Sequence, residues 1–140
     1  MKWRRLLPPD WNWRVFTFRD FEIFCAMDRV EVFELAMSPV ALYTVYHRVP
    51  VILLNSRLSG TEKLYVGFHE LGHHWLHHPG QQFNWGFETK MDCEANIVAS
   101  CSLIPYPVID LKTDTEIREE FGYSQKIIRF RRDIYETWGI

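Results

Sequence analysis

Five of the six histidines in this 140-residue chain fall between His69 and His78. Among them, His69-Glu70-Leu71-Gly72-His73 forms an H-E-x-x-H pattern. On an α-helix, residues i and i+4 lie one turn apart on the same face, so two imidazoles at this spacing can converge on a single metal ion. Glu70 sits next to the first imidazole. It is angled away from direct ligation but able to reach a water beside the ion, a division of labour suited to a zinc hydrolase. A pattern with three fixed positions arises by chance in roughly 2% of chains this long, and a helix with scattered surface histidines is the plain alternative. The context favours the metal reading, because Leu71, Trp75 and Leu76 give the segment a face to bury. His77 lies one turn beyond His73 and could be a further ligand or a donor to one. For His74, His77 and His78 a solvated or packing role is the simpler expectation.

A catalytic zinc site takes three protein ligands and keeps one place for water. The acids that follow the histidine segment are Glu88, Asp92 and Glu94. Asp92 and Glu94 stand at the start of a second helical pattern, and a carboxylate on a helix packed across the histidine helix would complete the set. The two lie about 200° apart around that helix, so both cannot serve without distortion. Glu94 shares its face with Val98. Asp92 is nearer the helix start, where the macrodipole alone favours an acid. Cys93 could bind zinc, although a small buried thiol is the commoner role.

These residues need elements to position them. Residues 1–16 carry Trp3, Trp11 and Trp13 among prolines and charges and read as an irregular arm packed by its indoles. Thr17 followed by Asp20 starts a helix running to about Met27, with Phe18, Phe21, Phe24 and Cys25 on one face. Three short β-rich runs follow, over 30–36, 40–47 and 51–54, the last ending at Asn55. Tight turns at Ser38-Pro39 and around Pro50 suggest a three-stranded antiparallel meander. The histidine helix is expected over 62–78, stopping at Pro79-Gly80, and residues 81–89 read as an aromatic loop. A further helix spans 90–103, with Met91, Ala95, Val98 and Ser102 on one face. Thr113 and Glu116 make a capping box for a short helix closing near Gly122, and Ser124 caps a last helix to about Trp138.

Composition bounds the rest. The hydrophobic fraction of 47% and charged fraction of 24% are those of a globular protein and exclude disorder over most of the chain. A chain this long buries about 70% of the surface its unfolded form exposes, enough for one domain without staples. The net charge of −2 offers no overall basic excess for a phosphate backbone. The three cysteines form no C-x-x-C and no even framework, which fits a reducing, cytoplasmic setting. Pro8, Pro9 and Asp10 interrupt any apolar run after the basic start, and no apolar stretch reaches the roughly 18 residues a membrane span needs. Neither a leader nor a membrane anchor is therefore expected.

Taken together, His69-Glu70-Leu71-Gly72-His73, His77, Glu94-Ala95-Asn96 and Leu103-Ile104-Pro105 resemble the ImmA/IrrE family of zincin-like metallopeptidases. The apolar run Val51–Asn55 ahead of the motif, and Glu120-Phe121-Gly122-Tyr123-Ser124 followed by Arg129, are similar to the family as well. The likeness covers roughly residues 18 to 132. It implies an α+β zincin-like fold in which a three-stranded antiparallel sheet packs on the H-E-x-x-H helix and a second, ligand-bearing helix. It also implies a bound Zn2+, and the chain length allows one such domain over residues 1–140. Carried over residue by residue, His69 and His73 are metal ligands, Glu94 is the third ligand and Glu70 is the general base. The implied activity is endopeptidase cleavage of a regulatory protein, such as a repressor-type transcription factor. The chain departs from the family in having Asp92 as the first carboxylate of Glu-x-Glu-Ala-Asn. Phe68 stands where a small residue usually precedes the motif, and Ile97-Val98-Ala99 follows the Asn in place of Phe-Ala. The separate helix-turn-helix and sensor modules are absent from this short chain.

Two other readings remain at this stage. The chain could be a non-catalytic, zinc-containing partner-binding module, antitoxin-like or repressor-binding, with Trp3, Trp11, Trp13 and Trp85 as interface candidates. An intact Glu70 argues for the enzyme, since a structural site needs no base. Lys126, Arg129, Arg131 and Arg132 on the last helix could touch nucleic acid through a loose helix-turn-helix. Because Glu119, Glu120 and Asp133 offset their charge, a role in the fold is expected instead. A substrate strand is expected to add at the sheet edge near Val51–Leu54; no residue is clearly marked as oxyanion stabiliser, and Tyr65 and His77 are candidates by position only.

Overall fold

Thr17 opens the first helix as the sequence predicts. Its hydroxyl accepts from the Asp20 N–H, and the Asp20 carboxylate accepts from the Thr17 N–H in return. In the computed structural model, which describes residues 2–140, this helix is α1 (Phe18–Met27). It follows a 3-10 turn at Lys2–Leu6. Then come β1 (Glu31–Leu35), β2 (Ala41–Tyr46), β3 (Val49–Asn55), α2 (Gly60–Trp75), β4 (Gln81–Phe83), α3 (Lys90–Leu103), α4 (Tyr106–Leu111), α5 (Asp114–Phe121) and α6 (Gln125–Trp138). The architecture is α+β. No helix among the described residues is long and apolar enough to cross a membrane.

The sheet departs from the expected antiparallel meander. It has four strands in the order β1-β3-β2-β4, with β1 parallel to β3 and β2 antiparallel to both β3 and β4. The β2–β3 hairpin is local. His47 and Arg48 both take positive φ (49° and 67°), the turn geometry that matches the twist of the flanking strands. The side chain of Asn55 sets where β1 lies. Its Nδ2 donates to the carbonyls of Met37 and Pro39 (2.8 and 3.2 Å), tying the β1–β2 connection to the end of β3. This anchor leaves β1 on the far side of β3 from β2. β3 is therefore interior, and the substrate edge expected at Val51–Leu54 does not exist. The free edges are β1 and β4, the latter formed by part of the segment expected to be loop.

Ala41, Tyr43, Ile52 and Leu54 are buried on the helical side of the sheet, against α2. Phe68 stands at the place where a small residue was expected, and the packing accounts for it. Phe68 is fully buried, with its ring 5.6 Å from that of Phe16, 5.7 Å from Phe21 and 6.4 Å from Trp75. Such tilted and edge-on aromatic pairs add to the area they bury. The N-terminal arm docks on α3, where the Trp11 indole N–H donates to the Val98 carbonyl at 3.1 Å. α3 is buried almost all round from Ala95 onward rather than on one face. On α6, Arg131 is buried and donates to the Ile104 and Ile140 carbonyls and to Asn12 Oδ1. Arg132 donates to the Ile109 and Lys112 carbonyls and to Asp114.

Candidate metal centre

Close approach of α2 and α3 makes the site, and Gly72 allows it. A Cβ at Gly72 would meet Val98 Cβ at 3.2 Å and Ala95 Cα at 3.3 Å, tighter than side-chain carbons normally pack. With the helices this close, His69, Glu70 and His73 on α2 face the first turns of α3, all fully buried. Their donor atoms lie within 4.8 Å of one another.

Glu94, the expected third carboxylate, does not reach them. Its Oε1 lies 3.9 Å from His78 Nε2, on a half-exposed side chain. Asp92 meets the imidazoles instead, with Oδ1 3.2 Å from His69 Nε2 and 3.1 Å from His73 Nε2. The physical reason is the capping box at the start of α3. Thr89 Oγ1 accepts from the Asp92 N–H, while Asp92 Oδ2 accepts from the Thr89 N–H and hydroxyl. This turns the side chain back over the helix start, where its other oxygen faces α2. The capping role and the site role belong to one carboxylate, so position near the helix start did not argue against Asp92.

Asn96, one turn after Asp92, holds His69 from the far side of its ring, with Oδ1 2.7 Å from His69 Nδ1. Asn96 Oδ1 can only accept, so the His69 ring donates from Nδ1 and turns Nε2 toward His73 and Asp92. His73 Nδ1 lies 2.9 Å from His78 Nδ1, and the two Nε2 atoms of His69 and His73 are 3.1 Å apart. Three lone-pair atoms thus meet at 3.1–3.2 Å. Burial works against ionisation of Asp92, but the His69 ring and the Thr89 N–H hold its carboxyl down at about 2. Burial, with the neighbouring His69 and His78 rings, pushes His73 down to about 3. With a divalent ion between them, His69 Nε2, His73 Nε2 and Asp92 Oδ1 would each offer it one lone pair. Donors bonded to zinc in a tetrahedron stand about 3.3 Å apart, close to the observed triangle. The two imidazoles and the carboxylate therefore fit a divalent ion.

Glu70 differs from Asp92. Its Oε1 is 3.9 Å from His69 Nε2, further than Asp92, and neither of its oxygens has a hydrogen-bond partner despite full burial. Burial first, and Asp92 second, push its carboxyl well above the usual range. A buried carboxyl left without partners is costly, which marks the position as one kept for chemistry.

The remaining histidines divide by the end of α2. The helix closes at Trp75, three residues earlier than the periodicity suggests. His77 takes a left-handed φ of 58°. Its N–H donates to the His74 carbonyl, and that of His78 to the His73 carbonyl, the pair of bonds of a Schellman end. This leaves His77 exposed and off the metal-facing side, and brings His78 onto His73. Pro79 bars helical backbone only at His78, and the stop at Trp75 comes from the left-handed His77. His74 bonds to Tyr43 and Asp28 instead. Tyr65 is buried with its hydroxyl 3.4 Å from Ser100 Oγ, and Phe83 covers His69 with ring centres 4.1 Å apart. Of the four indoles considered for an interface, Trp11 is buried, Trp3 and Trp85 are partly buried, and Trp13 is 55% exposed.

The sequence model of peptidase M78, described as the IrrE N-terminal-like domain, matches residues 29–132, well over half of the chain. No curated protein and no solved structure matches it.

Proposed function

We propose, from the premise that the chain belongs to the peptidase M78 (IrrE N-terminal-like) family, that it is a zinc-dependent endopeptidase acting on a regulatory protein. The observation that carries this reading is the buried, unpartnered Glu70 carboxylate beside the His69–His73–Asp92 triangle. His69, His73 and Asp92 would hold the ion, with Asp92 in the place first expected for Glu94. A zinc ion there would supply Lewis-acid activation of a water and of the scissile carbonyl. Glu70 takes the water's proton on a carboxylate oxygen and passes it to the leaving amine. Asn96 keeps the His69 ring in the tautomer that presents Nε2.

A substrate strand would add at the free β4 edge, because Phe83 of that strand lies directly over His69. A repressor-type transcription factor as substrate rests on the resemblance of the sequence motifs, and a cytoplasmic setting on the three unpaired cysteines. The buried Arg131 and the carbonyl-bound Arg132 support a structural role for the α6 cations rather than contact with nucleic acid.

Incubation with a candidate repressor-type transcription factor, read by intact mass, tests the activity. Cleavage that stops on adding a chelator and returns with zinc supports it. A repressor left intact by the zinc-loaded protein, together with every other protein offered, removes it. The role of Asn96 has its own test. Asn96→Ala should weaken zinc binding by about 10–100-fold, as loss of a ligand-orienting hydrogen bond typically does. Competition against a chromophoric chelator measures this, and an unchanged affinity would show that His69 needs no such support.

A further inference from the structure

Asn96 holds His69 with one end of its amide and keeps the other end free. The side chain is 7% exposed, and its Oδ1 lies 2.7 Å from His69 Nδ1. Its Nδ2 meets no acceptor among the described residues, yet it is not sealed in the interior. Asn96 lines a cavity of about 650 Å³ between the first half of α2, the segment after β4, and α6. We propose that this cavity binds a small, uncharged aromatic ligand bearing a carbonyl oxygen, which accepts from Asn96 Nδ2 and so acts on His69 from behind. None of His69, Glu70, His73 or Asp92 lines the cavity, so the site is separate from the metal-facing side of the ring. Binding there does not depend on the peptidase reading.

The walls name the class of ligand. Tyr65 and Ile127 are buried and Trp85 and Phe130 half-buried, so three rings and one aliphatic chain share the cavity with the Asn96 amide. Trp85 stacks on Tyr65 with ring centres 6.0 Å apart. Such faces favour a flat ring, because offset stacking adds to the area buried. A nearly buried donor without an acceptor is costly, and a carbonyl oxygen would satisfy it. The charges stand at the rim, exposed and of both signs, with Glu62, Glu88 and Asp133 against Lys126 and Arg129. Lys126 is already engaged, with its Nζ 4.5 Å from the centre of the Trp85 ring. An ionised ligand would lose hydration and find no single opposite charge at depth, whereas an uncharged one would not. The volume lies in the range of small-molecule sites.

The effect on His69 follows from the amide. An acceptor on Nδ2 polarises the group and makes Oδ1 the stronger acceptor for the His69 Nδ1 proton, as linked hydrogen bonds reinforce one another. A ring held more firmly from behind presents Nε2 to an ion with less ordering left to do. Ligand and ion should therefore raise each other's affinity, and by the same factor.

The test uses the metal-free chain, benzamide as the probe, and the indole N–H resonance of Trp85, assigned with Trp85→Phe. That resonance should shift and saturate, with a dissociation constant on the order of 1 mM for so small a ligand. Cyclohexanecarboxamide, which is not flat, and benzoate, which is charged, should each bind about 10-fold more weakly. Asn96→Asp keeps an acceptor for His69 Nδ1 but removes the free N–H group, and should weaken benzamide about 10-fold. A second handle needs no change at Asn96. Cys93 lines the cavity and is exposed, while Cys25 and Cys101 are buried, so N-ethylmaleimide applied to the folded protein reaches Cys93 alone. The adduct should abolish the benzamide shift, and Cys93→Ser should keep it after the same treatment. Zinc affinity, measured against a chromophoric chelator, should rise roughly 5-fold at saturating benzamide.

A Trp85 resonance unmoved by benzamide, or a shift unchanged by the adduct, overturns the site. Benzoate or cyclohexanecarboxamide bound as tightly as benzamide overturns the ligand class. Benzamide bound at Trp85 with zinc affinity unchanged overturns the action on His69. A chain that binds benzamide but no zinc overturns the peptidase reading instead and leaves the ligand site standing.

Discussion

Glu70→Gln should retain stoichiometric zinc and a folded chain while losing about 10²–10⁴-fold in peptide hydrolysis. The ligand set is untouched, because His69, His73 and Asp92 meet one another without the help of Glu70. The fold should not suffer either. Both Glu70 oxygens are buried without partners, so the native side chain contributes no hydrogen bond that the amide would forfeit. The thermal midpoint should therefore stay level or rise. Metal content by mass spectrometry, the unfolding curve and the cleavage rate give three separate readouts. Undiminished cleavage would sink the proposed base. Loss of zinc would instead make Glu70 a ligand.

The second large effect separates the two acids of α3. Asp92→Ala should empty the centre at neutral pH, a loss greater than the roughly 100-fold upper end for groups that only orient a ligand. Glu94→Ala should keep the ion. Asp92 carries a further cost, because its removal leaves the Thr89 N–H without its acceptor, about 1 kcal/mol in a typical helix cap. Asp92→Ala should thus lower both metal content and thermal midpoint, and Glu94→Ala neither. Zinc content after gel filtration decides the matter. Zinc retained by Asp92→Ala and lost from Glu94→Ala would mean that α3 is rotated relative to α2 in solution.

Local signals in the sequence carried far. The caps at Thr17, Thr113 and Ser124, the bounds of α3 and the His69–Glu70–His73 spacing could all be read from neighbouring residues. What failed depended on partners distant in sequence. The place of β1 follows from an Asn55 amide that bonds 16 and 18 residues back, and β4 exists only because β2 offers it an edge. Helical angle showed that Asp92 and Glu94 diverge, but not which of them faces α2. That depends on Gly72 seating against Ala95 and Val98, and on the capping box turning Asp92 back. The approach of His78 to His73 follows from the left-handed turn at His77, which ends α2 well before Pro79. α4 left no comparable sign, since Tyr106–Leu111 is one short run after Pro105.

The capping box of α3 also limits how Asp92 can bind. Its Oδ2 is tethered twice to Thr89, by the N–H at 3.0 Å and the hydroxyl at 3.1 Å. Only Oδ1 is left to offer, so Asp92 would bind an ion through one oxygen. Bidentate capture would have to break the helix cap first. With the two imidazoles this would make three protein donors, the number found in catalytic zinc sites that keep a place for water. The tether also acts before any ion arrives. The ordering entropy of that carboxylate is met when α3 folds, so it would already be in place when an ion binds. Loading such a centre depends on the supply of the ion and on access to it, not on rebuilding the first turn of the helix.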